Sequence, residues 1–338
     1  MTNKKNSPYI RTNETTYSVM LDVIIACIPL LIWAMYIFGA RSTVIVLVSV
    51  LSALGFDCIF TRIIRKKNHT FDLSPIITGM LIGFAMPVSV PLWLPIFASA
   101  VAIIVAKQAF GGVGKNIFNP AASGICASAM IFSNYMSTFT KPFTYFSTFA
   151  INLPQSEVES ARVMTSLDLI RKGTVESSAL ANYFYGISPG TIGEISVLLI
   201  ALGFLYLLSK RTIPFNGTFA YLTTFVVLTF FTAYADSEPI DFALMQLFSG
   251  GTIIIAVFFI NDYSTTPTTA AGKLSFAVIC ASLAVGIRYY GNVHYADYFA
   301  LLIVNMLVPI IEKATTPRVF GNRIKAPDQK LSTEKSID

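Results

Sequence analysis

Apolar residues in this chain come in long runs, separated by charge clusters and by Gly/Pro punctuation. Ten runs are readable, near residues 20–40, 43–61, 74–88, 92–108, 118–134, 192–209, 215–234, 242–260, 274–288 and 298–311. About 20 apolar residues carry a helix across a hydrocarbon core of about 30 Å. The pattern therefore predicts an all-α polytopic membrane protein of about ten transmembrane helices. The third and ninth runs are short for a full span. Short, Pro-flanked segments in matching places of two halves mark interrupted transporter helices.

Composition agrees with lipid as the solvent. Of 338 residues, 54% are hydrophobic and 12% charged, with a mean hydropathy of +0.65, whereas soluble domains carry roughly a quarter charged residues. Cys27, Cys58, Cys126 and Cys280 lie singly in apolar runs, with no CxxC pair. They read as buried small residues rather than an iron–sulfur or disulfide framework. The two histidines, His69 and His294, fall at loop positions, so no intramembrane haem ligand is present. Any electron carrier is then organic. The first 19 residues are polar and the run after them is too long for a typical signal-peptide core, so no cleavable signal peptide is expected.

Orientation follows from Lys and Arg. With the N-terminus in the cytoplasm, 18 of the 24 lie inside; Arg41, Lys141, Arg162, Arg171, Lys172 and Arg288 lie outside. The net charge of +6 is thus a mark of topology in a cell (inner) membrane, and it needs no nucleic acid partner. The expected organisation is a cytoplasmic segment 1–19, a five-helix unit 20–134, an extracytoplasmic loop 135–191, a second five-helix unit 192–311 and a cytoplasmic tail 312–338. An odd number of helices per half inserts the second half upside down, the geometry of an inverted repeat. Lys107-Gln-Ala-Phe-Gly-Gly-Val and Arg288-Tyr-Tyr-Gly-Asn-Val, ending helices four and nine, echo each other on opposite faces.

Ser74-Pro75 and Asn119-Pro120 open their runs as helices begin, with a capping side chain and then Pro. Asn119 has a second reading as a ligand-binding residue. The stretch Phe110-Gly-Gly-Val-Gly-Lys-Asn-Ile-Phe-Asn-Pro-Ala is dense in glycine, which lets backbone approach a flat ligand or a neighbouring helix. It is not a P-loop: Ala109 takes the first Gly position, Asn116 replaces Ser/Thr, and the flanks are membrane helices. Asp57 lies deep in its run, where an acid costs about 2.5–3.5 kcal/mol. It marks cation passage or a subunit contact, or else it snorkels toward Arg62 and Arg65. Asp262 lies in a polar stretch that is either a plain loop or a segment dipping into the membrane against protein or water. In the long loop, Thr165 and Asp168 form a capping-box start to a short helix closed by Gly173. Thr165 is first a capping threonine, and a phosphoester there would meet the N–H groups of a helix N-terminus.

Several stretches together carry a family likeness. They are Ser74-Pro-Ile-Ile-Thr-Gly, the block from Lys107 to Ala121, Ser188-Pro-Gly-Thr-Ile-Gly-Glu-Ile-Ser, and Phe248-Ser-Gly-Gly through Asp262 to Pro267 and Gly272-Lys273. In order and spacing the chain resembles the D-type membrane subunit of Rnf ion-translocating oxidoreductase complexes, over roughly residues 15–315. The B-type subunit of the sodium-pumping NADH:quinone reductase is the related alternative, and a urea-transporter-type channel for a small neutral solute is the rival of another class. The resemblance implies a urea-transporter-like fold of two inverted halves. It implies FMN joined by a phosphoester to an outer-side threonine by a flavin transferase, and a noncovalent riboflavin in the membrane part. It implies iron–sulfur partner subunits and an extracytoplasmic FMN-bearing one, with electrons passing between ferredoxin and NAD as Na+ or H+ crosses. The family's acceptor pattern, Ser/Thr-Gly-Ala-Thr followed by Pro-Leu, falls on Arg162-Val-Met-Thr165-Ser-Leu167, which keeps the Thr and Leu and lacks the Gly-Ala. Ser166 and Thr174 are fallback acceptors. Asn119 and Asp262 are the candidates for contacts to the noncovalent flavin, and Asp57 for the ion path.

Overall fold

The computed structural model describes residues 15–64, 72–173, 180–194, 196–234, 238–291 and 293–317. The first half contains α1 (Thr16–Phe38), α2 (Ala40–Ile59, extended by a wider π-type turn Phe60–Ile64), α3 (Ser74–Phe84), α4 (Trp93–Ala100, extended likewise by Val101–Gln108) and α5 (Pro120–Ile131). The connection holds the short helices α6 (Ser133–Met136), α7 (Gln155–Ala161), α8 (Ser166–Arg171) and α9 (Leu180–Tyr185). The second half contains α10 (Val197–Ser209), α11 (Phe215–Phe231), α12 (Pro239–Phe248), α13 (Thr252–Ile254, extended by Ile255–Phe259), α14 (Ala270–Tyr290) and α15 (Ala296–Thr315). Among the described residues the only β-pairing is an isolated bridge between Thr140 and Arg162. The described residues form an all-α protein.

Helices α1, α2, α14 and α15 are long and apolar enough to cross a bilayer; α12 and α13 together qualify as a fifth span, bent by 67° at their junction. The third run is short, as expected: α3 has 11 residues, and non-helical chain follows it to α4. The ninth run is not short. Thr269 caps α14, accepting from the Gly272 amide at 3.0 Å, which starts the helix upstream of the apolar residues and gives it 21 residues. The break falls instead in the eighth run, at Ser249-Gly250-Gly251. Gly250 has φ +61°, and a Cβ there would sit 3.0 Å from the Arg288 guanidinium and 3.2 Å from Leu167, so only glycine turns the chain under that arginine. A smaller shift concerns α3. Leu73 occupies the cap position, and Asp72 accepts from the Ser74 amide at 3.1 Å.

The helices share two ends. The near end is where α1 begins, and the far end is where α1 meets the connection, Phe143 donating its amide to the Ile37 carbonyl at 2.9 Å. Arg41 ties the far end together. Fully buried, its guanidinium donates to the carbonyls of Val88, Val90, Ser147 and Ala150 at 2.8–3.1 Å. Tyr295 does similar work on the other side, donating its hydroxyl to the Ala85 and Met136 carbonyls at 3.0 and 3.1 Å. Large apolar side chains such as Ile32, Leu51 and Ile310 point outward, as suits helices whose surroundings are acyl chains rather than water.

Candidate functional site

At the near end, α5 and the segment after α13 bring together residues 143 positions apart. Asn119 caps α5, accepting from the Ala122 amide at 3.1 Å, and its Nδ2 donates to Asp262 Oδ2 at 3.0 Å. Asn305 of α15 locks the junction. It accepts from the Asn119 amide through Oδ1 and donates through Nδ2 to the Thr265 carbonyl, both at 3.1 Å. The polar stretch after α13 is folded inward, with Asn261, Thr265 and Thr266 buried. Asp262 itself accepts from Thr265 Oγ1 at 2.8 Å and from Ser264. Both readings of Asn119 are therefore compatible, because the same side chain caps a helix and faces a cavity.

That cavity has a volume of about 590 Å³. Val19, Val23, Leu81, Leu207, Ile213 and Phe258 give it apolar walls, while Ser74, Lys107, Asn116, Asn119 and Asp262 supply polar groups. The glycine-rich loop contributes Val113 and Gly114. Gly111, Gly112 and Gly114 all have left-handed φ, of +120°, +96° and +79°, a path closed to most side chains. Asp57 lies behind this wall and is buried. Lys107 Nζ is 3.0 Å from its Oδ1, Gln108 Nε2 donates to it at 2.6 Å, and Lys107 also donates to Ser74 Oγ at 2.8 Å. Asp57 thus clamps α2 to the end of α4, a partnership that sequence reading missed; Arg65 lies outside the described residues.

At the far end, Thr165 is the cap of α8. Its hydroxyl donates to Asp168 Oδ2 at 2.9 Å, and its amide donates to the same oxygen at 3.0 Å. Gly173, with φ +76°, follows the end of the helix. Thr165 and Ser166 are both buried and line a small pocket, about 30 Å³, with Phe139, Pro189, Glu194, His294 and Tyr295. Thr174 lies outside the described residues. Asp168 Oδ1 is 3.5 Å from His294 Nε2 and 3.9 Å from Arg171 Nη1. Burial pulls the His294 pKa below its ordinary 6.5; Asp168 opposes that shift, and Arg171 and Arg162 add to it. The imidazole is therefore neutral at neutral pH.

Beneath this pocket runs a buried polar layer unforeseen from the sequence. Arg288 pairs with Asp297, donates to the Ser249 carbonyl at 2.9 Å and the Gln246 carbonyl at 2.7 Å, and lies 5.0 Å from the Phe225 ring centre. Glu194 accepts from the Tyr298 hydroxyl. Ser188 to Glu194 was a legible motif; its partner Tyr298 on α15 was not. Among the described residues no cluster of His, Cys, Asp and Glu could hold a metal ion.

Residues 3–321 match a single family across nearly the whole chain. The chain belongs to the NQR2, RnfD, RnfE family. Named relatives agree over the same length. The D-type subunit of the Na(+)-translocating ferredoxin:NAD(+) oxidoreductase complex of Acetobacterium woodii is 32% identical over 319 residues, covering 94% of each chain. Its counterpart in the ion-translocating oxidoreductase complex of Cronobacter sakazakii is 30% identical, over 94% of this chain and 98% of its own. The counterpart in the proton-translocating ferredoxin:NAD(+) oxidoreductase complex of Clostridium ljungdahlii is 27% identical, over 94% and 96%. Membership of the NQR2, RnfD, RnfE family matches the resemblance carried by the glycine-rich block and the Ser188–Glu194 motif.

Proposed function

We propose that this chain is the flavin-carrying membrane subunit of an ion-translocating ferredoxin:NAD oxidoreductase complex. It works beside iron–sulfur subunits and an extracytoplasmic FMN-bearing subunit, in the cell (inner) membrane with both termini cytoplasmic. The observation that carries the reading is full-length similarity to the D-type subunits of such complexes. The names of two of them specify different ions, Na+ and H+, so the coupling ion stays open between these two. The far end then faces outward, and ten helices in two inverted halves account for the echo of Lys107 and Arg288, each a buried cation at a helix end paired with an acid.

Physical features at both positions support the flavin reading. A phosphoester on Thr165 would share its pocket with His294, whose Nδ1 is buried without a hydrogen-bond partner among the described residues; its negative charge would favour the protonated imidazole, which donates from both nitrogens. A pocket of about 30 Å³ takes a water-sized group and not three fused rings, so a flavin tethered there would keep its rings outside, toward a neighbouring protein of the complex. The near cavity, at about 590 Å³, lies within the range of roughly 300–1,000 Å³ typical of small-molecule sites. Its apolar walls and polar Asn119–Asp262 edge suit a noncovalent isoalloxazine. A bound flavin supplies the capacity to carry one or two electrons, while the residues hold it and exclude water. In-gel flavin fluorescence after coexpression with a flavin transferase tests the reading. A band bright in wild type and dark in Thr165→Ala is expected; a dark wild type that conducts a small neutral solute in liposomes would instead favour the channel.

A further inference from the structure

We propose that Asp168 is the general base that activates Thr165 for attachment of the flavin phosphate, with His294 as its positioning residue; this rests on the reading of Thr165 as the acceptor. A threonine hydroxyl is a weak nucleophile and needs an adjacent base. Thr165 Oγ1 donates to Asp168 Oδ2 at 2.9 Å, inside the reach of about 2.6–3.2 Å for proton abstraction. Helix capping does not require that bond, since a box needs only the two backbone amides to be satisfied.

The molecule contains its own control. Helix α1 starts with another capping box, formed by Thr15 and Ser18. There the capping bond from the Ser18 amide to Thr15 Oγ1 is 3.2 Å and the contact between the two hydroxyls is a loose 3.5 Å. At α8 the order reverses: the Asp168 amide lies 3.4 Å from Thr165 Oγ1, and the carboxylate lies 2.9 Å from it. The Thr165 hydroxyl leans toward the base rather than toward the helix. Asp168 Oδ1 faces His294 Nε2 at 3.5 Å, and the imidazole is held edge-on against Phe139, ring centres 5.1 Å apart. The Asp168 side chain is 28% exposed, so a proton it takes can pass to water.

The step balances without electron transfer. Thr165 Oγ1 attacks the flavin-side phosphorus of a flavin dinucleotide and a new P–O bond forms. The pyrophosphate P–O bond breaks and the nucleoside monophosphate leaves. The hydroxyl proton goes to Asp168 Oδ2 and then to solvent. The test uses the full-length purified chain with a flavin transferase and the dinucleotide, following fluorescence on a denaturing gel. Asp168→Asn keeps a side-chain oxygen for the Thr165 amide and hydroxyl but removes the base. We expect its kcat for labelling to fall about 100-fold, with the KM for the carrier and the melting temperature little changed. His294→Gln should slow labelling by a smaller factor. Labelling of Asp168→Asn at the wild-type rate, or a defect confined to KM, would overturn the inference. A wild type that takes no label would remove the acceptor reading first, and this one with it.

Discussion

The far pocket and the near cavity are built in opposite ways from one helical body. The far pocket, about 30 Å³, is made largely by the connection between the halves and centres on one hydroxyl, Thr165, at the start of a six-residue helix. The near cavity, about 590 Å³, is walled by helix ends from both halves, and its Asp262 edge is tied up by Asn119, Ser264 and Thr265. The first is suited to holding a group by a bond, the second by enclosure. A bond makes occupancy independent of affinity, so a group tethered at Thr165 would need no enclosing volume. Enclosure requires volume and matched polar edges, which only packed spans supply.

Removing the bond should have the largest effect. Thr165→Ala is expected to abolish covalent flavin while leaving extractable flavin in place, at a folding cost of about 0.5–2 kcal/mol for the lost cap. Thr165→Ser should keep both, as read by fluorescence on denaturing gels and by flavin in acid extracts. Equal loss of both flavins in Thr165→Ala would show that the two sites are not independent. Next is the layer beneath the far pocket. Arg288→Ala leaves Asp297 buried without its partner, a change worth about 3–5 kcal/mol; the melting temperature in detergent should drop sharply, and an unchanged value would contradict the assignment of this pair as structural.

Legibility differed between the two regions for a physical reason. Thr165, Asp168 and Gly173 make a local motif, readable because its partners lie within eight residues. The spans were readable because hydrophobic length is a local property. What could not be read was contact between distant segments: Asn119 with Asp262, Asp57 with Lys107, Arg288 with Asp297. The break at Gly250 hid inside an apolar run, and the start of α14 was obscured because Gly272 and Lys273 resemble loop residues while belonging to a capped first turn.

Disturbing the near cavity should have a moderate and selective effect. Asp262→Ala removes the acceptor for Asn119 Nδ2 and is expected to lower noncovalent flavin recovery about tenfold, as loss of roughly 1.4 kcal/mol implies. Covalent fluorescence should stay constant; a parallel fall would assign both signals to one site. The smallest expected effect is a pH dependence at the far end. Because the folded His294 pKa lies below its ordinary 6.5, the unfolded chain binds the extra proton between those values. Stability is therefore full above pH 6.5 and declines as pH falls through that window toward the lower, folded pKa. His294→Phe should flatten the decline in thermal melts, and a decline unaltered by the substitution would place its origin elsewhere.

The most direct test is the mass of the proteolytic peptide that carries Thr165, taken from chain produced together with a flavin transferase. A hydroxyl held by Asp168 at the far end should bear FMN, with fragment ions localising the added mass to that threonine. An unmodified Thr165 peptide in a sample whose FMN-bearing partner is fully flavinylated would contradict the account.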